Sequence, residues 1–357
     1  MPERPSCPAW APAPAEQPST AAAGATDLPQ NFATLEADDA NDNSDVDSVI
    51  TTGNLSETTS VASSIYRFRV ENGRTYHAYK ANENDYFLPN DERENERLDL
   101  QHAITLKVQH NKLYICPAGK DKPLRRVLDV GCGTGIWSLD FGDEHPETSV
   151  VGVDLSPIQP SFVPPNVEFF IDDVQSPWTY SSPFDFIYMR YLTGSIRNWP
   201  ALLQQAYEHT SPGGWIEICD PVNPCISDDG TLTEDSALLK WNRLLVEGSN
   251  KLGASMEAIH NMKRWVEETG YVNVTKVEYK WPINGWPKDQ HFKEVGLWSY
   301  EAISSGLQAL SLFLFTKVLG WSVEEVETFL VDVRKDLKNK NIHAYWPVYV
   351  IYGQKPE

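Results

Sequence analysis

Apolar residues follow two rhythms along this chain. From Arg125 onward they gather into short runs: Val127-Leu-Asp-Val, Val150-Val-Gly-Val-Asp, Val167-Glu-Phe-Phe-Ile, Phe184-Asp-Phe-Ile-Tyr-Met and Trp215-Ile-Glu-Ile-Cys. Runs of this length, bounded by Gly, Pro and Asp, predict buried strands. Helical spacing fills the gaps. Ile136 to Phe141 opens one helix, and Leu202, Leu203, Ala206 and Tyr207 form another behind a capping Asn198. Met256, Ile259, Met262 and Val266 mark a third, stopped by Gly270. Ser211-Pro-Gly-Gly reads as a turn, and Val272 to Tyr279 is β-branched and extended. Strands alternating with helices predict an α/β fold with a doubly wound, mostly parallel sheet.

Elsewhere the period is helical. Residues 61–123 read as a mainly helical N-terminal cap, with Leu98, Ile104, Leu106, Val108 and Leu113 on the apolar face. Residues 283–343 interrupt the strands again. Leu307 to Leu319 is an apolar helix. Ser322 and Glu325 then form a capping box before Val326, Phe329, Leu330, Val333 and Leu337. Trp346-Pro-Val-Tyr-Val-Ile-Tyr is a final strand. The expected organisation is therefore an acidic tail at 1–60, a helical cap at 61–123, a core at 124–282, a helical insertion at 283–343 and the last strand at 344–357.

Charge changes the picture at one end. The net charge is −20, and residues 1–60 carry ten acids against Arg4 alone, with seven prolines and two aromatics. Such a segment cannot bury enough apolar surface to offset chain entropy, so it is expected to be disordered. The acidic balance argues against a nucleic-acid partner, because phosphate binding needs clustered Lys and Arg. No apolar run reaches about 20 residues, so no transmembrane helix is expected. The start carries no signal-peptide pattern. Cys7, Cys116, Cys132, Cys219 and Cys225 form neither a CxxC pair nor a Cys/His cluster, so neither a disulfide framework nor a metal site is expected. An intracellular protein fits this usage, in nucleus or cytoplasm.

The chemistry concentrates in Asp129-Val-Gly131-Cys-Gly133-Thr-Gly135, between the first strand and the first helix. A glycine loop there lets backbone approach a ligand at a helix N-terminus. The dinucleotide pattern needs a small residue where Ile136 stands, and no Gly-Lys-Ser/Thr phosphate loop follows. Asp129 would repel a pyrophosphate. It suits a ligand with a cationic end, such as S-adenosylmethionine. Asp154 ends the second strand, placed to accept from ribose hydroxyls, and Leu155 follows to cover an adenine face. Asp172, Asp173 and Val174 end the third strand, where a carboxylate and a backbone N–H can meet the adenine edge; an Asx turn is the plainer alternative.

These residues, with Ser211-Pro-Gly-Gly, resemble a class I S-adenosylmethionine-dependent methyltransferase over about 124–282 plus the last strand. The resemblance implies a seven-stranded sheet whose last strand runs antiparallel. A narrower resemblance covers nearly everything after residue 65. It rests on Glu71-Asn-Gly-Arg-Thr-Tyr-His-Ala-Tyr-Lys, Leu88-Pro-Asn-Asp-Glu, Arg97-Leu-Asp-Leu-Gln-His, Gly135-Ile-Trp, Asp154-Leu-Ser-Pro-Ile-Gln-Pro, Leu192-Thr-Gly-Ser-Ile-Arg-Asn-Trp, Trp286-Pro-Lys-Asp, Leu319-Gly-Trp-Ser and Ile342-His-Ala-Tyr-Trp-Pro-Val-Tyr. These strings are similar to the LaeA-like methyltransferases of filamentous fungi. That family includes regulators of secondary metabolism and development that associate with velvet proteins, and members encoded in biosynthetic clusters. It implies a methyl acceptor that is a small molecule or a protein, and the expected role is regulation of secondary metabolism and development with a velvet-type partner; a tailoring enzyme, or a cofactor-binding subunit with little turnover, are the alternatives.

No catalytic residue is assigned. Methyl transfer from a sulfonium needs in-line positioning of the acceptor first and a base only when a proton must leave. Met189, Arg190 and Tyr191 follow the fourth strand at the sheet's carboxyl edge, and Arg190 suits a carboxylate. His77 and His343 are further pocket candidates. Trp286 and Trp298 are expected to face the acceptor from the insertion, as part of a lid.

Overall fold

The computed structural model describes residues 35–37, 66, 68–79 and 86–357, all within one compact unit, Asn31–Glu357. The expected disorder of residues 1–60 lies outside the described residues, apart from 35–37. There Ala37 bridges Pro287, and the Lys288 N–H donates to Glu36 O at 2.7 Å.

The chain order is β1 (Arg69–Glu71), β2 (Arg74–Tyr76), α1 (Glu92–Val108), β3 (Arg126–Val130), α2 (Ile136–Glu144), β4 (Ser149–Asp154), β5 (Val167–Ile171), β6 (Phe184–Arg190), α3 (Trp199–His209), β7 (Thr210–Pro221), β8 (Ile226–Ser227), α4 (Ala237–Lys251), α5 (Ile259–Thr269), β9 (Val272–Pro282), α6 (Gln290–Phe313), a π-helical turn (Leu314–Val318), α7 (Val323–Lys338) and β10 (Ala344–Gln354).

The seven long strands lie in the order β5-β4-β3-β6-β7-β10-β9, and the short β8 also pairs with β10. Pairings from β5 to β7 are parallel. Strand β10 runs antiparallel to both β7 and β9, so it alone of the seven is reversed. This is the α/β doubly wound architecture that the alternating pattern implied. The order turns back at β3, between β4 and β6, and ligands of such sheets bind outside the carboxyl ends at that switch.

Local chemistry explains the element ends. Asp91 caps α1, accepting from Glu94 N at 3.2 Å, and Arg74 Nη2 donates to the same carboxylate at 2.8 Å. Ser322 and Glu325 form the capping box of α7. Two features depart from the sequence reading. Residues 68–76 form a hairpin, not a helix. Its turn is Asn72-Gly73, with φ of 51° and 77°, the left-handed pair that a tight hairpin requires. The Ser211-Pro-Gly-Gly turn is absorbed into β7 as an irregularity between Thr210 and Trp215.

Two apolar layers flank the sheet. One gathers Trp137, Phe141, Phe186, Tyr188, Trp241, Leu307 and Leu330 under α1, α2, α4, α6 and α7. Trp137 stacks on Tyr188 with centroids 4.1 Å apart and planes 8° apart. The other layer joins Met189, Leu203, Ile216, Met262 and Ile351 beneath α3 and α5.

Helix α7 offers a direct test of which face carries stability. Leu330 is fully buried, whereas the adjacent Val331 is 48% exposed. Leu330→Ala should destabilise the chain by about 2–5 kcal/mol through the cavity it leaves. Val331→Ala should change stability by less than about 0.5 kcal/mol. Urea denaturation of both variants measures the contrast.

Candidate active site

A cavity of about 250 Å³ opens at the carboxyl edge of the sheet. Residues from β3, β4, β6, β7, β9 and β10 and from the segment after β5 reach it, with α1 and α6 contributing side chains above the edge. Of the residues singled out from sequence, Asp129, Gly131, Gly133, Asp154, Leu155, Asp172, Asp173, Val174, Arg190 and Tyr191 line this cavity.

The glycine loop is tied to β4. Gly131 N and Cys132 N donate to Val153 O at 2.8 and 3.0 Å, and Gly133 N donates to Asp154 Oδ2 at 2.9 Å. The other Asp154 oxygen accepts from Ser156 N at 2.9 Å. Asp154 therefore shapes the loop as well as facing the cavity. Both Gly131 (φ 71°) and Gly133 (φ 56°) are left-handed. A Cβ on Gly131 would strike Leu192 at 2.5 Å, whereas one on Gly133 would project beside the cavity, its nearest neighbour Leu98 at 3.8 Å. The missing side chains leave a cradle at the start of α2.

Four expected residues lie elsewhere. Gly135 caps α2 beneath Phe169, where a Cβ would sit 2.4 Å from the ring; it serves packing and not the cavity. Met189 alternates to the opposite face of β6 and is fully buried against α3 and α5. His77 is fully buried beside Tyr86, its ring centroid 5.8 Å away, and does not reach the cavity. His343 hydrogen-bonds Asp229 at 2.5 Å and packs on Trp286, so it belongs to a local contact away from the cavity. Trp286 donates to Ala344 O, and Trp298 lies under Lys107, 40% exposed. Neither faces the cavity. The insertion reaches it through Ala302, Ile303 and Leu310 of α6 instead.

Two groups on the cavity wall, Arg97 and Asp220, and one behind it, His102, escaped the sequence reading. Arg97 is buried in a fork with Glu94, Nη2 to Oε1 at 2.7 Å, and donates to Gln101 Oε1 at 2.6 Å. His102 Nδ1 accepts from Arg190 Nη2 at 2.9 Å while its Nε2 donates to Asp140 at 2.9 Å. That pattern is the neutral ring, and burial lowers its pKa accordingly. Asp220 ends β7 at 1% exposure. The rule that found Asp154 and Asp172, an acid at the tip of a parallel strand, applies equally to it.

Electrostatics decide what the cavity suits. Five aspartates (129, 154, 172, 173 and 220) and two arginines (97 and 190) line it. Burial pushes Asp129 up to about 6, against the hydrogen bond from Ser138 Oγ at 2.6 Å. Burial also raises Asp154, against the N–H groups of Ser156 and Gly133. Buried acids in excess over cations favour a ligand with net positive charge and disfavour a pyrophosphate. S-adenosylmethionine, with its ammonium and sulfonium, fits both this charge and the cradle.

Comparison with known proteins agrees. A methyltransferase domain matches residues 100–276. Methyltransferase pytC of Aspergillus terreus is 42% identical over 302 residues, 84% of this chain and 92% of that protein. Secondary metabolism regulator LAE1 of Cochliobolus heterostrophus is 34% identical over 293 residues, 81% of this chain and 95% of that one. The chain belongs to the LaeA-like class I S-adenosylmethionine-dependent methyltransferases. Probable methyltransferase tdiE of Emericella nidulans, 38% identical over 265 residues, is a further relative, covering 74% of this chain and 82% of its own. No helix among the described residues is long and apolar enough to cross a membrane.

For this methyltransferase, S-adenosylmethionine supplies an electrophilic methyl group on sulfur. Asp129, Asp154 and Asp172, which line the cavity, would hold the cationic donor. Asp129 must be ionised to attract it, so affinity should rise with pH through about 6. Calorimetry should find binding roughly tenfold weaker at pH 5 than at pH 7, and Asp129→Asn should flatten that dependence. Asp154→Ala removes the loop tie and the carboxylate expected to accept from the ribose. It should weaken binding roughly 10–100-fold at pH 7 in the same assay.

Proposed function

We propose that this methyltransferase modifies a small molecule of fungal secondary metabolism, as a tailoring enzyme. The observation that carries this reading is the apolar half of the cavity. Trp241 and Leu245 from α4, Met256, Trp281 from β9, Ile303 and Leu310 from α6, and Trp346 from β10 line it. A wall of buried rings and aliphatic chains suits a compact, weakly polar acceptor that must leave water to meet the donor.

The relatives support the same order. Those at 42% and 38% identity are named as methyltransferases, and LAE1, at 34%, as a regulator. The regulatory reading, with a velvet-type partner, rests on LAE1's coverage of 95%.

Deletion of the gene in the source organism, followed by metabolite profiling, separates the two readings. The tailoring role predicts loss of one methylated compound and accumulation of its precursor, lighter by one methylene. Coordinated loss of many unrelated metabolites and of their transcripts would overturn it in favour of regulation.

A further inference from the structure

One buried carboxylate in the cavity is unused by the cofactor half. Asp220 stands at the carboxyl end of β7, whose neighbours in the sheet are β6 and β10. Arg190 and Tyr191 end β6 on one side, and Trp346 begins β10 on the other. All four residues line the cavity. Asp220 therefore lies at the junction between the glycine-loop half and the aromatic half.

Its orientation is held by the segment after β6. Thr193 Oγ1 and Thr193 N donate to Oδ1 at 2.8 and 3.3 Å, and Leu192 N donates to Oδ2 at 3.3 Å. A carboxylate offers about four acceptor positions, so these three bonds leave room on Oδ2. The charged and titratable groups around it are Arg190 from β6, Cys219 on its own strand and Tyr349, its register partner on β10. Arg190 favours the ionised form, and burial, the larger effect, pushes Asp220 up to about 7. A group that titrates near neutrality is matched to accept a proton at working pH.

The aromatic half adds a donor. Trp241 Nε1 is bonded to Ser311 Oγ, and Trp346 Nε1 to Asn242 Oδ1. Trp281 Nε1 is buried without a partner. An oxygen on a bound molecule would satisfy it.

We propose that Asp220 is the proton acceptor of the methyl-transfer reaction, and that the methyl acceptor is a neutral, planar ring compound that presents an O–H or N–H to Oδ2 while lying against Trp241, Trp281 and Trp346. This rests on the tailoring reading above. The acceptor's O–H or N–H bond breaks and its proton passes to Asp220. The electron pair left behind forms the new bond to the methyl carbon. The carbon–sulfur bond breaks with its pair retained on sulfur, giving S-adenosylhomocysteine, and Asp220 returns the proton to water.

The test uses the full-length protein with 1-naphthol and 2-quinolone as acceptor probes. Binding is read on protein saturated with S-adenosylhomocysteine, and turnover with methyl-labelled S-adenosylmethionine. The wild type should bind and methylate at least one probe, with kcat rising through about pH 7. Asp220→Asn should lower kcat roughly 10²–10⁴-fold and abolish that rise, while S-adenosylmethionine affinity stays within about threefold. Asp220→Glu should restore part of the rate. Thr193→Val removes the hydroxyl donor and should move the acid limb to higher pH, a readout that stands even if Asp220→Asn fails to fold. Unchanged kcat and pH profile in Asp220→Asn would overturn the proton-acceptor role. So would loss of cofactor binding in step with activity, or an unmoved limb in Thr193→Val. If neither probe binds, the acceptor class is wrong, whereas the tailoring reading falls only on the metabolite profile.

Discussion

The cofactor half of this molecule depends on one hydrogen bond, from Gly133 N–H to Asp154 Oδ2 at 2.9 Å. It joins the loop after β3 to the tip of β4. With the two bonds to Val153 O, it holds three successive loop N–H groups against the neighbouring strand. Those bonds require the parallel register that sets Val130 beside Val153. The left-handed conformations at Gly131 and Gly133 follow from the same path, since only there can the backbone turn back to β4 and still open α2. The cradle is thus a consequence of strand pairing as much as of glycine content.

The same edge carries an electrostatic tension. Asp129, Glu217 and Asp220 are each raised by burial, to about 6, 7 and 7. A carboxyl raised above its unfolded value favours folding only while protonated. Its contribution is present at pH below the unfolded value and is lost as pH rises through the folded one. At neutral pH these acids therefore work against stability. Glu217 offsets this by accepting from Ile115 N at 2.9 Å and Cys116 N at 2.6 Å. That anchors the chain after α1 to the sheet, a structural role. Asp129 and Asp220 line the cavity, where a cationic donor and, on the proposal above, a proton-bearing acceptor would give their charge a use. The tension is concentrated where the chemistry is.

Cover for the edge comes from outside the strand–helix core. Helix α1 brings Arg97, Leu98 and Gln101, and α6 brings Ala302, Ile303 and Leu310. The two helices pack on each other, and Arg97 passes so close to Gly306 that a Cβ there would meet its Cδ at 2.5 Å. The segments before and within the strand series therefore build one roof together. The acceptor side of the cavity is assembled from α4, α6, β9 and β10, which are separated in sequence by up to a hundred residues.

Much of this was legible in the residues alone. The alternation of short apolar runs with helical spacing is a local property, and it determined the parallel sheet, because most runs are buried on both faces and each gap is long enough for a crossover. The acids at the strand tips and the glycine spacing likewise determined the charge of the ligand, since both follow from the order of residues around one turn. What stayed hidden depends on direction and burial. Met189 and Arg190 are neighbours, yet the pleat sends only Arg190 to the cavity. Glu94 and Arg97 sit in a charged helical stretch, and only the packing of α6 against them buries both. His77 and His343 carry suitable chemistry but point into other contacts. Trp298 lost the cavity to Ile303 and Leu310 because the rotation of α6 decides which of its faces turns inward, while Trp286, in the loop before α6, is held by its bond to Ala344 O. Sequence pattern settles which elements form; only their packing settles which side chains share a space, because that requires distances between residues the chain order keeps far apart.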